Sequence, residues 1–167
     1  MSTQPDRLSG GLSGNRGRRS GPGPRAAPQQ RGPQVLDIIE AMEEPRGKLV
    51  AMLRDLALSL PDVEERTVYD GFCRHWTPAY YLGDRQLFHV HNFRSGLRAT
   101  MFVGVNSLEP LILDSDSVAQ DLRAALAKTQ GNRGTKQFKL PIDSDEDVAA
   151  FRELVLIKWE LGRARPG

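Results

Sequence analysis

Four side chains able to bind a metal or move a proton fall close together. They are Cys73, His75, His89 and His91, the only cysteine and all three histidines of the 167-residue chain. Cys73-x-His75 and His89-x-His91 are spaced two apart, which on a strand puts each pair on one face, and thiolate with imidazole is a donor set for borderline divalent ions. Gly83-Asp84 lies between two apolar runs as a two-residue hairpin turn. That turn sets Tyr80 opposite Leu87, Pro78 opposite His89 and Trp76 opposite His91. One face then carries Trp76, Tyr80, Leu87, His89 and His91, and the other His75, Ala79, Tyr81, Phe88 and Val90. A second turn at Ser95-Gly96 adds Arg98, Thr100 and Phe102 to the histidine face, and Ala99, Met101 and Val103 to the Phe88/Val90 face. His75 is thereby turned away from His89 and His91, which counts against a four-ligand metal site. A slip of one residue at either turn would exchange the faces.

The histidine face mixes aromatic surface with donors, acceptors and one guanidinium, the composition of a small-ligand pocket. The candidate binding residues are Trp76, Tyr80, His89, His91, Arg98 and Phe102. The same residues also fit a partly solvated sheet face, a protein-partner surface, or a metal site on His89 and His91. Cys73 as a nucleophile would need a base, and His75 on its own strand is poorly placed to serve. A small, mostly buried cysteine is the ordinary alternative.

No complete catalytic or cofactor motif is present, so no cofactor is assigned and an enzyme is the least supported reading. Gly131-Asn132-Arg133-Gly134 has the GxxG spacing of a KH loop but joins a helix to a strand, where a tight turn is expected. It is also too short for a P-loop. Asp114-Ser115-Asp116-Ser117 lacks the glycine and terminal glutamate of a calcium loop.

The elements that must position these residues follow from periodicity. Val35, Ile38, Ile39 and Met42 make one helical stripe; Leu49, Met52, Leu53, Leu56 and Leu60 make a second, opened by Pro45 and stopped by Pro61. Strands are expected at Arg66–Tyr69, Trp76–Leu82, Gln86–Asn92 and Leu97–Val103, joined by loops short enough to make them antiparallel. A short turn over Leu108–Leu113 precedes a helix opened at Asp116 or Ser117, burying Val118, Leu122, Ala125 and Leu126 and ended by Gly131. Thr135–Leu140 alternates as a half-buried strand. Ser144 and Asp147 make a capping box before a last helix that buries Val148, Phe151, Leu154, Val155 and Trp159. The order α-α-β-β-β-β-α-β-α defines an α+β domain over residues 35–167, a mainly antiparallel sheet of about five strands with helices on one face.

Residues 1–34 differ from this body. They hold seven glycines and five prolines, with six arginines against one aspartate, so the segment carries +5, while the remaining 17 basic and 20 acidic residues leave the body at −3. Such a leader cannot bury enough apolar surface to offset its ordering entropy and is expected to be disordered. Arg16, Arg18 and Arg19 give it a possible nucleic-acid contact, though without aromatics to stack on bases. The mildly acidic body offers no such electrostatic attraction. A single cysteine, no membrane-length apolar run and no signal-peptide core make a cytoplasmic protein the expectation. Oligomeric state is open.

From about Lys48 to Glu160 the chain resembles the YdhG-like domains, small bacterial α+β proteins, and more distantly the MmcQ/YjbR-like domains. The resemblance lies in Leu60-Pro61-x-Val63-Glu64-Glu65, Tyr80-Tyr81-Leu82-Gly83-Asp84, Phe88-His89-Val90-His91-Asn92-Phe93, Ser144-Asp145-Glu146-Asp147 and Leu154-Val155-x-Ile157-Lys158. It implies the fold and no established enzymatic activity. Some YdhG-like proteins are linked to iron handling, but no acidic ligand ridge is evident here, so no iron ligand is transferred. The expected function is binding of a small molecule or protein partner through the histidine face, with metal (iron) binding or delivery, or nucleic-acid contact through the leader, as alternatives.

Overall fold

Four strands joined by short turns form the centre of the molecule. In the computed structural model, which describes residues 31–165, β1 (Val63–Asp70), β2 (His75–Leu82), β3 (Arg85–Phe93) and β4 (Gly96–Gly104) run as a meander. Two helices precede it, α1 (Val35–Glu40) and α2 (Arg46–Leu58). It is followed by α3 (Leu108–Leu113), α4 (Gln120–Lys128), β5 (Gly131–Asn132), β6 (Thr135–Pro141) and α5 (Asp145–Ala164). The six strands order as β1-β2-β3-β4-β6-β5, every neighbouring pair antiparallel. This is the expected α+β architecture plus a two-residue strand, β5. Among the described residues no helix is long and apolar enough to cross a membrane.

Local chemistry sets the element ends. Ser144 Oγ accepts from the Asp147 N–H at 3.3 Å and Asp147 Oδ2 accepts from the Ser144 N–H at 3.1 Å, closing the capping box on α5. Arg133 and Gly134 both take positive φ, 52° and 79°, so the GxxG segment is a hairpin turn between β5 and β6. Gly131 therefore belongs to β5 and does not cap α4, whose C-cap is Thr129. The expected turn over Leu108–Leu113 is a helix, and α4 starts at Gln120, later than Asp116 or Ser117.

The helices pack on one side of the sheet. Tyr80, Phe88, Val90, Ala99, Met101, Val103, Phe138 and Leu140 meet Leu49 and Leu53 of α2, Ile112 of α3, Leu126 of α4 and Phe151 and Leu154 of α5 in one core. Phe88 is its centre, 4.8 Å from the Tyr80 ring and edge-on to Phe151 at 5.1 Å.

The hairpin register departs from expectation at one residue. Gly83, at φ 60°, makes the two-residue turn with Leu82 opposite Arg85 and Tyr81 opposite Gln86, but Tyr80 then lies opposite Phe88 and Ala79 opposite His89. Leu87 is the extra residue of a β-bulge, and everything beyond it is displaced by one. Two expected site residues are therefore misassigned. Tyr80 is fully buried among the helices. Trp76, of the same strand parity, lies on that side too, against Tyr69, with Gly32 so close that an added Cβ would overlap its ring. Conversely, His75, Ala79 and Tyr81 share the parity of the His89/His91 face, and Ala79 is fully buried without belonging to the helix-covered core. The second turn is also displaced, with Phe93 opposite Gly96 and His91 opposite Arg98. That error is an even number of residues, so Arg98, Thr100 and Phe102 stay on the histidine face.

Candidate functional site

The β1–β2 corner brings together residues far apart in sequence. β1 ends at Asp70, whose Oδ1 accepts from the backbone N–H of Phe72 at 2.8 Å and of Cys73 at 3.2 Å, folding the turn back on itself. Its Oδ2 accepts from Nε2–H of His91 on β3 at 2.6 Å. These bonds, the His91 one foremost, hold the Asp70 carboxyl below the ordinary carboxylate range. An ionised carboxylate only accepts, so the His91 proton facing it sits on Nε2. Nδ1 of His91 is buried without a partner among the described residues. One ligand atom from each of Asp70, Cys73 and His91 lies within 4.8 Å of the others. Burial and then the charge of Asp70 raise the Cys73 thiol, leaving it protonated at neutral pH, the wrong form for a nucleophile.

His89 occupies the adjacent position. Gln86 Nε2 donates to Tyr81 Oη at 3.0 Å, so its Oε1 takes the proton of His89 Nδ1 at 2.7 Å. His89 Nε2 is then an acceptor. The His89 ring is edge-on to His91 at 4.6 Å and lies 5.7 Å from Phe102, while Phe93 stacks on His91 at 5.0 Å. Both histidines are buried, at 8% and 5% exposure, on a face that carries no helix of the described residues. Burial, with His91 adding to it, lowers His89 from 6.5 to about 4, so it is neutral at physiological pH. A hollow of about 280 Å³ opens beside it, lined by Val68, Asp70, Thr77, Gln86, His89 and Phe102. Thr100 Oγ1 is buried on the same face without a partner among the described residues.

Of the residues expected to form the site, His89, His91, Arg98 and Phe102 share this face, whereas Trp76 and Tyr80 lie on the opposite one. Arg98 donates to the carbonyl of its neighbour Leu97. Within the expected metal pair, His91 alone joins a ligand cluster, and it does so with Asp70 and Cys73. Arg16, Arg18 and Arg19 lie outside the described residues. Asp70, Gln86 and Thr77 were not expected at the site. The Asp70-Gly71 dipeptide signals a turn, but a partner twenty-one residues on in a non-adjacent strand leaves no periodic trace. Comparison with family models, curated proteins and solved structures finds no match, and the site stands on its own geometry.

Proposed function

We propose that this chain is a binding module that holds a small polar molecule on the helix-free face of its sheet, at the hollow beside His89. The supporting observation is the polar lining of that hollow, where His89 offers an acceptor nitrogen beside Asp70, Thr77 and Gln86. On the same face Thr100 Oγ1 and His91 Nδ1 are buried without a partner among the described residues. Unsatisfied buried polar atoms cost about 1–3 kcal/mol each, and the fold already has an apolar core on its other face without them. A neutral His89 acceptor beside the Asp70 carboxylate favours a ligand that donates hydrogen bonds over an anion. A thermal-shift screen of small polar metabolites should find compounds that raise Tm, and His89→Ala and Gln86→Ala should each reduce that shift at least tenfold in ligand concentration. An undiminished response in both variants would place binding elsewhere.

The Asp70–Cys73–His91 cluster supports a second reading, a divalent metal site. Carboxylate, thiolate and imidazole suit Zn²⁺ with a fourth position open. The 2.6 Å separation of Asp70 Oδ2 and His91 Nε2 would widen to roughly 3.3 Å around a tetrahedral ion about 2.0 Å from each. Because the metal must displace the Cys73 and Asp70–His91 protons, affinity should rise with pH. Titration of tag-free protein with Zn²⁺ should show one site with proton release, weakened at least tenfold by Cys73→Ser. Binding that is absent, or indifferent to that variant, removes the reading.

A further inference from the structure

One cation lies on the apolar stripe of α5. Lys158 follows Leu154 by four residues and Val155 by three, and both of those are buried in the core. Its ammonium donates to the carbonyl of Phe102 at 2.8 Å. That carbonyl lies past the last β3–β4 pair, His89 with Thr100, at the end where the Leu87 bulge takes β3 out of step. The bulge thus leaves a gap in the sheet, and Lys158 reaches into it from the helix layer.

The ammonium is poorly compensated there. It has three protons to donate, and the Phe102 carbonyl is its one acceptor among the described residues. No carboxylate of those residues forms an ion pair with it. Burial lowers its pKa to about 8, with no charged neighbour offsetting the loss of water, so it is still a cation at neutral pH. Lys158 is half-buried and its bond to Phe102 lies near the surface, so its charge is partly withdrawn from water, has no counterion among the described residues and is open to an anion arriving from solvent.

The space around it fits such an anion. Lys158 borders a cavity of about 250 Å³ whose walls include Leu82, Leu87, Leu108 and Leu161, with Arg85 and Arg165 as further cations and no acidic residue among the described ones. The volume equals that of about eight waters in the liquid, room for roughly eight to ten heavy atoms. The leucines suit an apolar body rather than a fully hydrated ion such as phosphate.

We propose that this cavity binds a small monocarboxylate with an apolar body, its carboxylate on the Lys158 ammonium and its body among the leucines. This site is separate from the hollow beside His89, so either can fail without the other. Charge-assisted bonds of this kind lose most of their strength when one partner becomes neutral.

The test uses the full chain, with benzoate and hexanoate as probes, their amides as uncharged counterparts and inorganic phosphate as a third arm. Calorimetry and thermal shift should show both carboxylates binding at least tenfold tighter than the amides and tighter than phosphate. Lys158→Met should fold and lose at least tenfold in carboxylate affinity. In wild-type protein labelled at lysine Cε, the lysine resonance titrating near pH 8 should move its midpoint upward with benzoate, a readout that does not depend on any variant folding. Amides binding as tightly as carboxylates, phosphate binding as tightly as benzoate, or no lysine midpoint moving would each overturn the proposal.

Discussion

Replacing Lys136 with methionine is expected to destabilise the domain by roughly 3–5 kcal/mol, although the substitution keeps the side chain's length and adds apolar character. Lys136 lies on the helix-covered side of β6, only 8% exposed. Its ammonium donates to Glu109 Oε1 of α3 and to the carbonyls of Leu126 and Ala127 at the end of α4. One charge therefore joins three elements. Without it, Glu109 remains buried as an unpaired carboxylate whose Oε2 already lacks a partner among the described residues, and the end of α4 loses a donor to its last carbonyls. The double variant Lys136→Met/Glu109→Leu removes both charges and should recover much of the loss, because an apolar pair of similar volume is often no worse than a buried ion pair. Urea unfolding followed by circular dichroism measures all three. A Lys136→Met cost below about 1 kcal/mol would show that water reaches the pair and screens it.

The buried lysine also shows how far the sequence could be read. Strict alternation of Lys136, Phe138 and Leu140 against Thr135, Gln137 and Lys139 marks a half-buried strand, and Lys136 lies on its buried side with Phe138 and Leu140. Period-two and period-3.6 patterns, the Ser144 capping box and the Gly83-Asp84 turn were legible because each depends on neighbours within a few positions. The bulge at Leu87 was not. Its trace is the break in alternation at Leu87-Phe88, two large apolar residues in succession before His-Val-His resumes. A register without that single displacement inverts the faces of β2 and groups Tyr80 and Trp76 with the histidines, where the structure does not have them. The error at the second turn, being even, left the β4 faces correct. Asp70 with His91, and Lys158 with Phe102, join residues 21 and 56 positions apart, and only the assembled sheet defines such pairs.

Both candidate sites trace back to the bulge. By shifting the register it puts His89 opposite Ala79, on the face that Thr77 shares, and Thr77 lines the hollow with His89. By ending β3–β4 pairing early it exposes the Phe102 carbonyl to Lys158. Phe102 takes part in both, its ring near His89 in one hollow and its carbonyl on Lys158 in the other. Bulges are enriched beside functional sites because they redirect side chains and interrupt pairing, and both effects occur here.

Acid should weaken the fold in two separable steps, the first set by His89. In the unfolded chain this histidine takes up a proton near pH 6.5, whereas in the fold burial, and next the nearby His91, hold its pKa near 4. Between those values the unfolded state binds more protons, so stability is complete above about pH 6.5 and falls as the pH drops toward 4. At about 1.4 kcal/mol per unit of pKa difference, the loss is roughly 3 kcal/mol. Asp70 acts lower on the scale. Its carboxyl is held below 3.8 by His91 and by the Cys73 and Phe72 amides, so its stabilisation is present above 3.8 and disappears only on further acidification. Urea midpoints measured at intervals from pH 7.5 to 3 should therefore fall first across the His89 window and again below it. His89→Gln, which can still hydrogen-bond Gln86 and has no proton to gain, should flatten the first step and keep the second. A variant curve parallel to the wild type between pH 6.5 and 4 would mean that water reaches His89 freely enough for it to titrate alike in both states, and the buried polar face that supports ligand binding would lose its central residue.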